Sequence, residues 1–143
     1  MPQDLTLTDF APVDQDNVEA AYQYIFAPWL KTMGLTDFKI SEGVCGARLP
    51  QKPDLHWAAG AICGQAIMAA IDTLASLACM TTERQAKGTA HQATQFLRPA
   101  FGEDLWVEAR VLQWGKAIVY LECNVTFVGS GKLVAHSTLQ FAF

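Results

Sequence analysis

Residues 60–65 read GAICGQ, and Asp72 follows eight positions after Gly64 as the only charged side chain between Cys63 and Met80. Glycines before and at a helix start let a ligand come close to the backbone, and the first turn's N–H groups have no intrahelical acceptor. Together with the helix dipole, the donors of Gly64 and Gln65 suit an anion or a developing oxyanion. The same glycines also serve plain turn chemistry. Asp72 has two readings as well. A carboxylate in apolar surroundings is either satisfied by neighbouring hydrogen-bond donors or tuned for work as a general base or nucleophile.

Spacing constrains how the two features can cooperate. Eight helical residues rise about 12 Å, so one helix does not bring both the Gly64 amide and the Asp72 carboxylate to one reacting carbonyl. Two copies can, if the helix start of one chain lies beside the aspartate of another. Such a site requires an oligomer, most often one with two-fold symmetry.

These residues lie on the segment AICGQAIMAAIDTLASLACM (61–80), which is apolar almost all round and as long as a membrane span. Asp72 at its centre would cost about 2.5–3.5 kcal/mol on insertion, and Gly64, Gln65, Thr73 and Ser76 interrupt it further. A helix apolar on every face is also what the middle of a soluble domain needs, and that is the expectation here.

Around this helix the pattern is mostly extended. Residues 14–34 predict a helix with Asp16 and Glu19 at capping-box spacing. In it Val18, Tyr22, Ile25, Trp29 and Met33 recur at helical spacing, Pro28 breaks it and Gly34 stops it. DFKISEGVCGARLP (37–50) predicts one strand with glycine irregularities, closed by the Pro50-Gln51-Lys52-Pro53 turn. Beyond Gly88, residues 89–98 are extended. DLWVEARVLQW and KAIVYLECNVTF flank a hairpin tip at Gly115, and 129–131 (GSG) makes a second turn before KLVAHSTLQFAF. Ala117, Val119, Leu121, Cys123, Val125 and Phe127 share one face, and Leu133, Ala135, Leu139, Phe141 and Phe143 share another. The expected architecture is α+β, an antiparallel sheet of about five strands curled around one long central helix, with an extra N-terminal helix.

Bulk properties narrow the function classes. The chain has 143 residues, about half of them hydrophobic, with a formal net charge of −4. That suits one domain with a real core and argues against a broad nucleic-acid footprint, which needs a basic face. Cys45, Cys63, Cys79 and Cys123 form no CxxC pair and have no histidine at ligand spacing. Free thiols in a reducing cytoplasm, and no metal site, are expected. Met1–Phe10 carries two aspartates and no basic, apolar leader pattern, so neither secretion nor a membrane location is expected.

The string GAICGQAIMAAIDT, with TQFLRPA (94–100), WGKAIVYLECNVT (114–126) and GKLVAHSTLQF (131–141), resembles the hot-dog-fold acyl-CoA thioesterases. The resemblance is to the branch of phenylacetyl-CoA-pathway and 4-hydroxybenzoyl-CoA thioesterases. That branch shows a glycine, two residues, His-Gly-Gly, then an acid seven residues on. Gly60, Gly64 and Asp72 keep the frame, while Cys63 stands for the usual His or Asn and Gln65 for the second glycine. Trp57 and Ala58 replace an often polar position, with His56 one step further out. The resemblance covers 36–143 and leaves 1–35 as an N-terminal helical extension.

The resemblance implies hydrolysis of a small or medium acyl-CoA. The Gly64 or Gln65 amide would polarise the thioester carbonyl, and Asp72 of a neighbouring subunit would activate water or attack directly. Thr89 matches a Ser/Thr that helps place the water. Cys63 and His56 would border the substrate, Cys63 as a small buried residue rather than a nucleophile. Arg98 and Lys116 would either meet the coenzyme A phosphates or stay solvated. His91 and His136 fall on outward or intersubunit strand faces, and Trp106, Trp114 and Phe96 are expected in sheet packing. No metal or redox cofactor is implied, and a homodimer or dimer-of-dimers tetramer is. The rivals are a non-catalytic acyl-CoA-binding hot-dog protein and a hot-dog dehydratase or hydratase. The latter needs a histidine base, which the central helix lacks.

Overall fold

The computed structural model describes residues 7–143; the first six residues of the 1–35 extension, and with them most of Met1–Phe10, lie outside the described residues. Six antiparallel strands form one sheet. They are β1 (Thr36–Ser41), β2 (Val44–Leu49), β3 (Gly88–Phe96), β4 (Leu105–Trp114), β5 (Ile118–Phe127) and β6 (Leu133–Ala142), in the order β1-β2-β4-β5-β6-β3. The curved sheet wraps the helix α3 (Gly64–Cys79), giving the hot-dog fold. The sixth strand comes from 36–49, where one irregular strand was expected. Ser41 pairs with Val44 across a two-residue turn, and Gly43 supplies the left-handed conformation it needs (φ 74°). The same glycine that marks an irregularity in sequence reverses the chain.

β5 carries the clearest sequence pattern. Val119, Leu121, Cys123, Val125 and Phe127 are buried, and the intervening residues are half-buried or exposed. In β4, Leu105, Val107 and Ala109 point inward until a register irregularity between Val111 and Gln113 shifts the alternation and leaves Leu112 exposed. These residues close over α3, whose Ala70, Ile71, Leu74, Ala75, Leu77 and Ala78 have no accessible surface. The alanines let the helix lie close to the sheet, while Leu74 and Ile71 each contribute about 1.5–3 kcal/mol by burial.

The expected N-terminal helix is divided at Pro28 into α1 (Val18–Ile25) and α2 (Pro28–Lys31), with Pro28 in the first turn of the second. The break changes the helical phase, so Trp29 is 62% exposed although Val18, Tyr22 and Met33 are buried. The capping box is absent. Asp14, not Asp16, accepts from the backbone at Asp16 and Asn17, and Asn17 Oδ1 accepts from Asp14 N. The extension is clipped to the domain: Val13 N donates to Met80 O, Gln15 Nε2 donates to Phe38 O, and Gln15 Oε1 accepts from Ile40 N on the edge strand β1.

Candidate active site

The central helix is not enclosed on every side. Gly64, Gln65, Met68, Ala69, Asp72, Ser76 and Met80 form a half-buried to exposed stripe at helical spacing. Apolar composition hid this stripe, since Met, Ala and Gly on an uncovered face read like core. The edge strand β3 runs beside it in the opposite sense. Phe96 lies over Gly64, where an added Cβ would sit 3.4 Å from the ring. Gln92 Nε2 donates to Met68 O, and Thr89 Oγ1 donates to Asp72 Oδ1 at 2.5 Å. Phe96 is thus 48% exposed on the helix start rather than packed in the sheet.

Asp72 is half-buried, not sealed in apolar surroundings. Thr89 occupies one carboxylate oxygen, and both residues lie on the accessible side of the molecule. The sequence reading brought these two residues together only through a family pattern; the fold does it because β3 begins where α3 is midway along its length.

The helix start presents backbone N–H groups without intrahelical partners. Gly60 takes φ 88° in the preceding turn, with its N–H on Trp57 O. Cys63 is the N-cap: its sulfur accepts from Ala66 N at 3.4 Å, a weak substitute for the usual Ser or Asp oxygen. It is half-buried and engaged in capping, not a fully buried filler. Ile67 N returns to Cys63 O, which leaves the Gly64 and Gln65 N–H groups without an intrahelical acceptor. The Gln65 side chain is exposed. His56 does not reach this start with its ring. Its Nε2 sits 2.7 Å from Gln51 Oε1, and Gln51 Nε2 bonds Ala100 O and Glu103 O, so His56 braces the loop leading into the helix. Arg98 lines an open depression beside Gly64, with Trp57, Phe96 and Leu97. Lys116 is at the β4–β5 tip at the other end of α3, where its carbonyl accepts from Arg84. Within one chain Arg98 and Lys116 are therefore not neighbours.

Elsewhere the histidines and tryptophans meet strand neighbours or solvent. His136 Nε2 is 3.3 Å from Glu122 Oε2 between adjacent strands, and His91 is exposed on β3. Trp106 covers Gly46, and Trp114 meets Phe143 edge-on. Burial pushes the thiols of Cys45 and Cys79 up to about 12 and raises that of Cys123 also, so these three are inert core residues.

Residues 59–133, just over half of the chain, match the family model described as Thioesterase superfamily. The chain belongs to the thioesterase superfamily. Among superfamily relatives, human acyl-coenzyme A thioesterase 13 is 31% identical over 80 residues, which are 54% of this chain and 57% of that protein. The match therefore spans little more than half the length of that relative. A conserved protein of Pseudomonas aeruginosa has a similar structure, with TM-score 0.76 and 26% identity over 84% of this chain and 96% of that one. The PaaI protein from the phenylacetic acid degradation operon of Escherichia coli shares the fold, with TM-score 0.76 and 21% identity over 87% of this chain and 94% of its own. The matched segment contains both the helix start and Asp72. No helix among the described residues is long and apolar enough to cross a membrane.

Proposed function

We propose that the protein is a homo-oligomeric acyl-CoA thioesterase acting in the cytoplasm, hydrolysing small or medium acyl groups at a site shared between two chains. The observation that carries this is the Thr89-anchored Asp72 carboxylate on the same uncovered stripe as the free Gly64 and Gln65 amides. On α3, Gly64 and Asp72 are equally spaced about Met68. A two-fold axis near Met68 and Gln92 would set Asp72 of one subunit against Gly64 of the partner subunit. The exposed edge of β3, with exposed Phe96 at its end and Leu97 just beyond, supports the pairing, because an uncovered strand edge is otherwise an aggregation risk.

In this reading the thioester oxygen accepts from the helix-start amides. Asp72 takes a proton from water as its oxygen bonds to the carbonyl carbon, and the negative charge grows on the oxygen facing those amides. Collapse breaks the carbon–sulfur bond, coenzyme A leaves as thiolate, and the proton on Asp72 passes to the sulfur. Thr89 holds Oδ1 and leaves the second oxygen for water. Water is the co-substrate, and no metal or redox cofactor is needed. Arg98, beside the helix start, is placed for a phosphate group of the substrate.

The test is thiol release across a panel of acyl-CoA esters beside Asp72→Asn, with sizing in solution. Turnover by wild type, its loss in Asp72→Asn and a dimeric or tetrameric size are expected. Binding without turnover would make the protein an acyl-CoA carrier, and a monomer that turns over would remove the shared site.

A further inference from the structure

A partly open cavity unused by this chemistry begins where the chemistry ends. Asp72, Ser76 and Met80 succeed one another at i, i+4 and i+8 along α3, and Ser76 Oγ donates to Asp72 O. Ser76 and Met80 line a cavity of about 170 Å³, and Gly88, next to Thr89, closes its near side. The far walls are Phe141 of β6 and Ala86 of the loop after α3. The outer wall is the N-terminal extension, through Ala11, Ile25 and Phe26. The extension is held there by the Val13–Met80 backbone hydrogen bond.

We infer that this cavity receives the acyl chain, and that the N-terminal extension sets its length; the inference rests on the thioesterase reading above. A thioester whose carbonyl lies at Asp72 has its chain directed either into solvent or along the Ser76–Met80 face into the cavity. The lining is mostly apolar, with Ser76, Thr82, Arg84 and Gln85 as its polar members. Ser76 spends its hydroxyl on Asp72 O, and Arg84 spends Nη2 on the carbonyls of Gly115 and Lys116 with its guanidinium 4.6 Å from the Phe143 ring centre. A cavity of about 150 Å³ holds one benzene ring, so by volume the fitting group is a chain or ring of about six carbons. Each methylene buried there is worth about four-fold in kcat/KM.

The experiment measures kcat/KM for straight-chain acyl-CoA esters from acetyl to decanoyl for wild type, Ala86→Phe and Phe26→Ala. In parallel, methyl-13C-methionine NMR follows Met80 on adding the unreactive thioethers S-hexyl-CoA and S-methyl-CoA. Wild type should rise to an optimum near hexanoyl. Ala86→Phe should keep acetyl turnover and lose hexanoyl preference at least ten-fold, while Phe26→Ala should move the optimum to longer chains. Met80 should shift with S-hexyl-CoA and not with S-methyl-CoA. Unchanged chain-length profiles in active variants, or a Met80 signal that ignores bound S-hexyl-CoA, would overturn the assignment. A Met80 shift without hydrolysis of any ester would keep the cavity as an acyl site and remove the thioesterase reading instead.

Discussion

Thr89→Val is the sharpest test of how Asp72 is held. Valine nearly matches threonine in shape and suits an edge strand, so the change removes one hydroxyl and leaves the backbone alone. The lost contact is the 2.5 Å bond to Asp72 Oδ1. A hydrogen bond to an ionised group contributes about 1.5–3 kcal/mol, and because both residues are partly open to water the low end applies, roughly a ten-fold fall in kcat. Thr89 acts through Asp72, so KM should change by less than about two-fold. Thr89→Ser, which restores the donor, should return most of kcat. Steady-state thiol release on the best acyl-CoA reads all three variants. Wild-type kcat in Thr89→Val, or Thr89→Ser as slow as Thr89→Val, would refute the positioning role.

Other consequences of the structure are as direct. Gly64→Pro should keep the fold, because proline is tolerated at the first helical position and Cys63 is already extended. It should lower kcat by about 10²–10³ through loss of one oxyanion donor; unchanged kcat would remove the Gly64 amide from the site. Gly46→Ala places a Cβ 2.6 Å from the Trp106 ring and should cost about 1–3 kcal/mol in denaturant unfolding. On a Trp106→Ala background that cost should vanish, and its persistence would locate the strain elsewhere. Cys45, Cys79 and Cys123 should resist a thiol reagent at pH 8 in the native protein, since burial lifts all three well above that pH. All four cysteines should react after unfolding, and early labelling of Cys123 would contradict the closed core.

The parts of the fold that were legible from sequence are those where burial and periodicity agree. β5 shows it best, because its alternating residues face a core on one side and solvent on the other. The β1–β2 reversal was less legible, since a glycine in an extended run marks a bulge or a turn equally well. Pro28 announced a break, but not that the new phase would expose Trp29. For the site, Gly64 and Asp72 stood out because glycine and a lone carboxylate are rare in an apolar helix. The role of Cys63 as N-cap and of Phe96 as a cover on Gly64 left no such mark. A sulfur acceptor is an unusual cap, and an aromatic in a strand gives no sign of which helix it touches. The uncovered stripe of α3 was hidden because its Gly64, Met68, Ala69 and Met80 read like the core residues beside them.

The central claim is that each active site takes its amides from one chain and its carboxylate from another. Gly64→Pro and Asp72→Asn should each be inactive alone. When the two are co-expressed with different tags and purified together, every mixed dimer regains one site that is wild type at both positions. Random pairing makes half the dimers mixed with one good site of two, so activity should return to about a quarter of the wild-type value. A mixed dimer no more active than either parent would contradict the shared site.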